Sequence, residues 1–277
     1  MYHRLVDRIT ALNDVPREPL VPRRLGKNMC VPFGKILRGK VVPNTVTKTL
    51  HTDKVYEPDL NSFTIEPFPY YSPLKSQIET IKSFDRPVIL VDDLVHTANR
   101  LQVLVPQLRE DGIPIKKVVV GVLSGYGRDL MQCLKVPVES IYSMPNLRQW
   151  FVESTLYPFI GGDTVRREEM KVAGLQPSIN MILPYATPRL SGCSREALVE
   201  FSACCIENSR DLFQVLEAEY RKMYAKNLTL SRLSEAVILP LCPDKGSCME
   251  YDENLAASVY LENDLETLWR MKEFLIK

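Results

Sequence analysis

The apolar and polar positions in the middle of the chain follow the alternation expected of buried strands and helices. The continuous apolar run "PVILV" from Pro87 predicts a strand covered on both faces, and "IKKVVVGVL" from Ile115 predicts a second buried strand. A weaker run, "PVESIYSM", predicts a third strand, and "ANRLQVLVPQLRED" and "GYGRDLMQCLK" predict helices between them. Strands that alternate with helices pair in parallel through right-handed crossovers. The pattern therefore predicts an α/β fold with a central parallel sheet and flanking helices.

The two ends of the chain have a different pattern from the middle. Leu5, Ile9 and Leu12 share one helical face, and a proline-rich, basic stretch follows them. After Gly174 the chain is proline-punctuated and then helical, with apolar residues at helical spacing. We predict an N-terminal arm (residues 1–27), an α/β domain (28–175) and a helical C-terminal region (176–277). The C-terminal helices are expected to dock on the α/β domain or on a second subunit.

Composition narrows the functional classes. Hydrophobic residues make up 45% of the 277 residues, which is enough for a sizeable core, and the net charge is +1. No global field recruits nucleic acid or an anionic membrane, so any bound anion requires a local site. No stretch approaches the roughly 20 apolar residues that span a bilayer. The N-terminus does not resemble a secretory signal, and a cytoplasmic protein is expected.

The seven cysteines are irregularly spaced and odd in number, which favours reduced thiols over a disulfide framework. Cys242 and Cys248 are close enough in sequence to share a metal. Such a site needs two more ligands, and no histidine lies nearby in the sequence. Structural cysteines are therefore the default interpretation.

Two adjacent acids, Asp92 and Asp93, follow the first buried run and fall at its carboxyl end, where ligands of parallel sheets bind. If the strand breaks into a turn there, both carboxylates can face the crevice. They can then accept hydrogen bonds from the vicinal hydroxyls of a ribose, directly or through Mg²⁺. The next residues, "HTANR", open a helix whose free N–H groups suit a phosphate. Together these features predict a ribose 5-phosphate site.

This segment, "VILVDDLVHTANR", resembles the signature of type I phosphoribosyltransferases. The resemblance implies a phosphoribosyltransferase-like sheet over roughly residues 29–165, and an enzyme that uses 5-phosphoribosyl 1-diphosphate with Mg²⁺. It implies that Asp92 and Asp93 bind the ribose hydroxyls and the metal. The 5-phosphate would be bound by His96, Thr97, Ala98, Asn99 and Arg100. His96 would also serve as an acid or base, because its unperturbed pKa lies near neutrality.

Two further sets of residues complete the predicted site. We identify no glycine-rich loop upstream of the motif, so Lys48 is the candidate for the pyrophosphate contact. A later aromatic cluster ends in "FIGGD", and the resemblance implies that the nucleobase-like acceptor is held late in the core. The candidates for acceptor binding are Asn146, Arg148, Trp150 and Asp163. The paired glycines suit close approach of the backbone to a ligand, or a tight turn.

Other interpretations stay open at this point. An acid pair at a strand end can cap a helix or solvate a loop, and acid pairs also form Mg²⁺ sites in receiver-like and phosphatase-like folds. The same fold also serves non-catalytic regulators that bind ribose phosphates or nucleotides. Finally, the chain can be a homo-oligomer or one component of a larger assembly that docks through its C-terminal helices.

Overall fold

The computed structural model describes residues 1–20, 22, 24–37, 39–167, 174–188, 190, 192–244 and 251–275. Contacts between Cα atoms divide the chain into two compact units. The first unit comprises Met1–Asp53 and Ile65–Arg148, and the second comprises Lys54–Thr64 and Gln149–Lys277. No helix in the described part of the chain is long and apolar enough to cross a bilayer.

The regular elements follow the predicted alternation. The strands are β1 (Met29–Pro32), β2 (Val46–Thr47), β3 (Thr52–Tyr56), β4 (Phe63–Pro67), β5 (Val88–Val95), β6 (Ile115–Ser124), β7 (Val138–Met144), β8 (Asp163–Val165), β9 (Gln176–Ile179) and β10 (Leu241–Pro243). The α-helices are α1 (Tyr2–Leu12), α2 (Leu74–Lys82), α3 (Asn99–Glu110), α4 (Gly125–Cys133), α5 (Arg195–Tyr224) and α6 (Ala257–Leu275). Short 3₁₀ helices span Glu153–Leu156 and Leu230–Ala236.

The first unit is built on a sheet of order β2-β1-β5-β6-β7, in which every pairing is parallel. Val88 to Val91 are fully buried because both faces of β5 are covered. Val88 and Leu90 pack with residues of α2 and α3, whereas Ile89 and Val91 pack with residues of α1. This confirms the predicted α/β class with a central parallel sheet, flanking helices and a helical C-terminal region.

The N-terminal residues contribute to the core of the first unit. Leu5 and Ile9, which the sequence placed on one helical face, are buried against the sheet in α1. The amide of Asn13 then links the end of α1 to the sheet: its Nδ2 donates to the Asn28 carbonyl (3.1 Å) and to Thr45 Oγ1 (2.9 Å). The segment predicted as an arm therefore includes one layer of the α/β sandwich.

The second unit combines most of a small sheet with the long C-terminal helices. The sheet has the order β10-β9-β8-β3-β4. β8 is parallel to β3 and antiparallel to β9, and β9 is parallel to β10. Fully buried residues of α5 and α6, including Phe213 and Leu261, form the apolar core together with Phe159. The predicted boundary at residue 175 lies inside this unit, because β8 and β9 pair across it. Local periodicity does not reveal such a long-range pairing.

Candidate functional site

The order of the first sheet defines where a ligand would bind. The chain runs outward from β1 to β2 and then places β5 on the other side of β1. The carboxyl ends of β1 and β5 thus flank a topological switch point, where open α/β sheets bind their ligands. The acid pair and the turn after it belong to β5 and the residues that follow it.

The acid pair lies within β5, not at its end. Asp92 is in register with Val120, and the ladder with β6 continues to Val95. Successive side chains of a strand point to opposite faces, so the two carboxylates diverge: Asp92 is only 5% exposed, whereas Asp93 is exposed. The expected break after Val91 does not occur, because β6 remains paired with β5 past the acids.

The carboxylate of Asp92 is buried but has hydrogen-bond partners. Arg100 Nη1 lies 3.2 Å from its Oδ1 and 3.4 Å from its Oδ2, and the Asp93 N–H donates to Oδ1 (2.9 Å). The Arg100 guanidinium also lies 5.3 Å from the centre of the Phe33 ring. Burial raises the pKa of Asp92 to about 7, although the charge of Arg100 acts in the opposite direction. The structure thus places Arg100 on the first acid of the pair.

The turn after β5 has the form expected of an anion site. Ala98 adopts a left-handed conformation with φ of 51°, which costs roughly 1 kcal/mol more for alanine than for glycine. Helix α3 begins at the next residue and has no side-chain cap. The N–H of Gln102 is bonded back to the Ala98 carbonyl (2.8 Å), so the N–H groups of the preceding turn point along the helix axis. These N–H groups can bind an anion.

His96, the first residue after β5, contacts the neighbouring strand. Its Nδ1 lies 2.8 Å from Ser124 Oγ, at the end of β6. Ser124 is only 1% exposed and caps α4 by accepting a hydrogen bond from the Gly127 N–H (2.9 Å). Sequence reasoning missed Ser124. Its position between a buried strand and "GYGRD" is a recognisable capping signal, but the contact with His96 is not visible in the sequence.

A cavity of about 390 Å³ lies beside β1 and β2. Its polar lining comprises Lys35, Lys40, Thr45, Thr47 and Thr49. Lys48 is absent from the lining because side chains alternate along an extended segment.

Sequence reasoning also missed the loop that forms part of this lining. Gly34 and Gly39 have φ of 54° and 70° and lie between β1 and β2, so a glycine-containing loop does lie upstream of the motif, at the switch point. The signal in the sequence was "FGKILRGK".

The predicted acceptor residues are divided between the two units. Asn146 and Arg148 are exposed near the end of the first unit. Trp150, which is 43% exposed, and Asp163, in β8, belong to the second unit.

Other members of the aromatic cluster have structural roles in the second unit. Phe159 is buried in its core, whereas Tyr157 lines a cavity of about 630 Å³ together with Ser154, Ile160, Asn208 and Leu212. A Cβ at Gly161 would overlap the Ser154 carbonyl, and Gly162 has φ of 121°. The glycine pair is therefore explained by close backbone packing at Gly161 and by a positive φ at Gly162.

The described residues contain no group of three or more His, Cys, Asp or Glu side chains placed to bind a metal. Cys242 is buried in β10, and Cys248 lies outside the described residues.

No protein-family model and no curated protein sequence matches the chain. Among solved structures, a purine phosphoribosyltransferase from Pyrococcus horikoshii matches 55% of this chain and 92% of its own, with 12% identity and a TM-score of 0.32. An adenine phosphoribosyltransferase from Thermoanaerobacter pseudethanolicus matches 52% and 80%, with 11% identity and a TM-score of 0.32. A hypoxanthine phosphoribosyltransferase from Trypanosoma cruzi matches 52% and 72%, with 16% identity and a TM-score of 0.30.

Proposed function

We propose that this protein is a phosphoribosyltransferase-like enzyme. It would bind 5-phosphoribosyl 1-diphosphate with Mg²⁺ and transfer the phosphoribosyl group to or from a nucleobase-like acceptor. The observation that carries the proposal is the left-handed turn after β5, which leads into a helix without a side-chain cap beside an exposed acid at the switch point. The resemblance of "VILVDDLVHTANR" to the family signature supports the same assignment.

In this proposal the sugar and its phosphate occupy the end of β5. Asp93, the exposed acid, accepts hydrogen bonds from the ribose hydroxyls, whereas Asp92, on the opposite face of β5, contacts Arg100. The turn from His96 to Arg100 binds the 5-phosphate. Arg100 belongs to this turn, and its guanidinium contacts Asp92. A phosphate bound at the turn would draw the guanidinium away from Asp92, because a guanidinium binds phosphate well.

The diphosphate would be bound on the β1 and β2 side of the switch point. Lys48 is the proposed contact, and Lys35 and Lys40 line the neighbouring cavity. During transfer, the bond from C1 to the diphosphate oxygen breaks, a bond from C1 to the acceptor forms, and positive charge develops on the sugar ring. Fixed charges and N–H groups around the site stabilise the charge distribution of this transition state. The proposed acceptor contacts in the first unit are Asn146 and Arg148.

The residues present fit a Mg²⁺ ion that arrives with the diphosphate. Mg²⁺ usually keeps several waters and takes one or two protein carboxylates together with substrate phosphates, so a cluster of three protein ligands is not required. Asp93 offers an exposed carboxylate for such an ion. The bound ion would offset the negative charge of the leaving diphosphate.

One observation favours a second candidate, a non-catalytic regulator that binds ribose phosphates or nucleotides. Both oxygens of Asp92 are already hydrogen-bonded by protein groups, so this acid has partners without a metal. Pyrophosphate release in the presence of a panel of bases distinguishes the two candidates. Tight binding without release across the panel identifies the regulator.

Calorimetric titration with 5-phosphoribosyl 1-diphosphate and Mg²⁺ tests the assigned role of the acids. Asp93→Asn should weaken binding roughly 10- to 100-fold, because hydrogen bonds to charged groups are lost at the sugar. Asp129→Asn, which changes an exposed aspartate on α4, is the matched control and should bind like the wild type. An Asp93→Asn variant that binds as tightly as the wild type would refute the proposal.

A further inference from the structure

The contact between His96 and Ser124 determines which nitrogen of the imidazole can meet a ligand. His96 follows β5 and Ser124 ends β6, and the ladder between these strands pairs Val95 with Leu123 just before them. The two side chains therefore meet at the carboxyl edge of the sheet, with Nδ1 2.8 Å from Oγ. This contact occupies Nδ1 and leaves Nε2 as the nitrogen that is available to a ligand.

The position of Ser124 is tightly fixed. Its hydroxyl caps α4 through the Gly127 N–H. A Cβ at Gly127 would overlap the carbonyl oxygen of Val95, so the first turn of α4 packs directly against the end of β5. Ser124 is held between the end of β6 and the start of α4, so its hydroxyl has little freedom to rotate toward another partner.

Counting protons identifies the donor in this contact. A serine hydroxyl has one hydrogen and two acceptor lone pairs. One lone pair accepts the Gly127 N–H, and within the described residues the other hydrogen-bond partner of Oγ is His96 Nδ1. At 1% exposure the hydroxyl hydrogen has little access to bulk water, and a buried donor without an acceptor is costly. The hydroxyl therefore donates, and Nδ1 carries the lone pair.

We propose that Ser124 is a positioning residue that holds neutral His96 in the tautomer protonated at Nε2. His96 then presents an N–H group at the mouth of the site. This inference rests on the proposed function and selects between the two roles proposed for His96. With its proton on Nε2, the imidazole donates a hydrogen bond to an oxygen of the bound anion and has no free lone pair with which to act as a base.

Long-range ¹H–¹⁵N NMR of the ligand-free full chain measures the tautomer directly. The chain has three histidines, and the signals that are missing from the spectrum of a His96→Gln variant are those of His96. In the wild type, the Nε2–H form of His96 should exceed the Nδ1–H form roughly tenfold, as expected for one buried hydrogen bond. A wild-type spectrum dominated by the Nδ1–H form would overturn the proposal without any variant.

Two variants of Ser124 separate its effect on the tautomer from its role as a helix cap. Ser124→Thr keeps both the hydroxyl and the cap and should keep the Nε2–H form. Ser124→Ala removes the donor and should give a mixture of tautomers. If Ser124→Ala retains the wild-type ratio in a folded protein, Ser124 does not determine the tautomer. Titration of the wild type with ribose 5-phosphate separates this inference from the proposed function. If His96 shows the Nε2–H form but the protein does not bind ribose 5-phosphate, only the proposed function is rejected. If the protein binds ribose 5-phosphate but His96 shows the Nδ1–H form, only this inference is rejected.

Discussion

Replacing Asp92 by asparagine should remove the decrease in stability that the metal-free protein shows as the pH rises from about 4 to about 7. The carboxyl is buried, and its pKa is raised from 3.8 to about 7 in the folded state. Between these values the folded state binds a proton that the unfolded state has released, so the free energy of unfolding falls as the pH rises. A shift of this size corresponds to roughly 4 kcal/mol.

Asparagine has nearly the same shape as aspartate but no charge, so the variant does not lose the stability that the ionised, buried carboxyl costs above pH 7. Urea unfolding at several pH values should show Asp92→Asn close to the wild type near pH 4 and more stable by roughly 3 to 4 kcal/mol at pH 8. Asp129→Asn, on an exposed aspartate, should reproduce the wild-type dependence. Parallel curves for Asp92→Asn and the wild type would show that the buried carboxyl carries no such cost.

Gly127→Ala should destabilise the first unit by roughly 3 kcal/mol, because overpacking against fixed backbone forces elements apart. The added methyl group would overlap the Val95 carbonyl and separate α4 from β5. Helix propensity acts in the opposite direction and favours alanine by only about 1 kcal/mol, so the clash dominates.

Gly112→Ala is the matched control for this prediction. The same methyl group is added in open space at a φ of 74°, and only the conformational cost of roughly 1 kcal/mol is expected. Urea unfolding followed by a probe in the first unit measures both variants. A Gly127→Ala protein as stable as the wild type would show that α4 can move away from β5 freely.

The parts of the fold that sequence predicts well are those with strong local periodicity. The apolar runs of β5 and β6 require cover on both faces, and the apolar stripe after Ser194 requires a helix. The same reasoning placed the turn at His96 and the start of α3 correctly, because Ala98 and the change of period mark them.

The parts that sequence does not predict depend on pairing between distant segments. β5 extends past its acids because β6 remains paired with it, and this pairing buries Asp92 and exposes Asp93. The contacts of Asp92 with Arg100 and of His96 with Ser124 arise from how neighbouring elements end. The second sheet requires β3 to meet β8 across most of the first unit's sequence, which no local pattern encodes.

The central claim is that a sugar phosphate binds at the end of β5, and a crystal structure of the protein soaked with ribose 5-phosphate tests it most directly. We predict that the phosphate lies at the first N–H groups of α3, next to Thr97 and Ala98, and that the ribose hydroxyls contact Asp93. Arg100 is predicted to have moved from Asp92 to the phosphate. A sugar phosphate bound elsewhere, with the turn after β5 empty and Arg100 still on Asp92, would contradict the account.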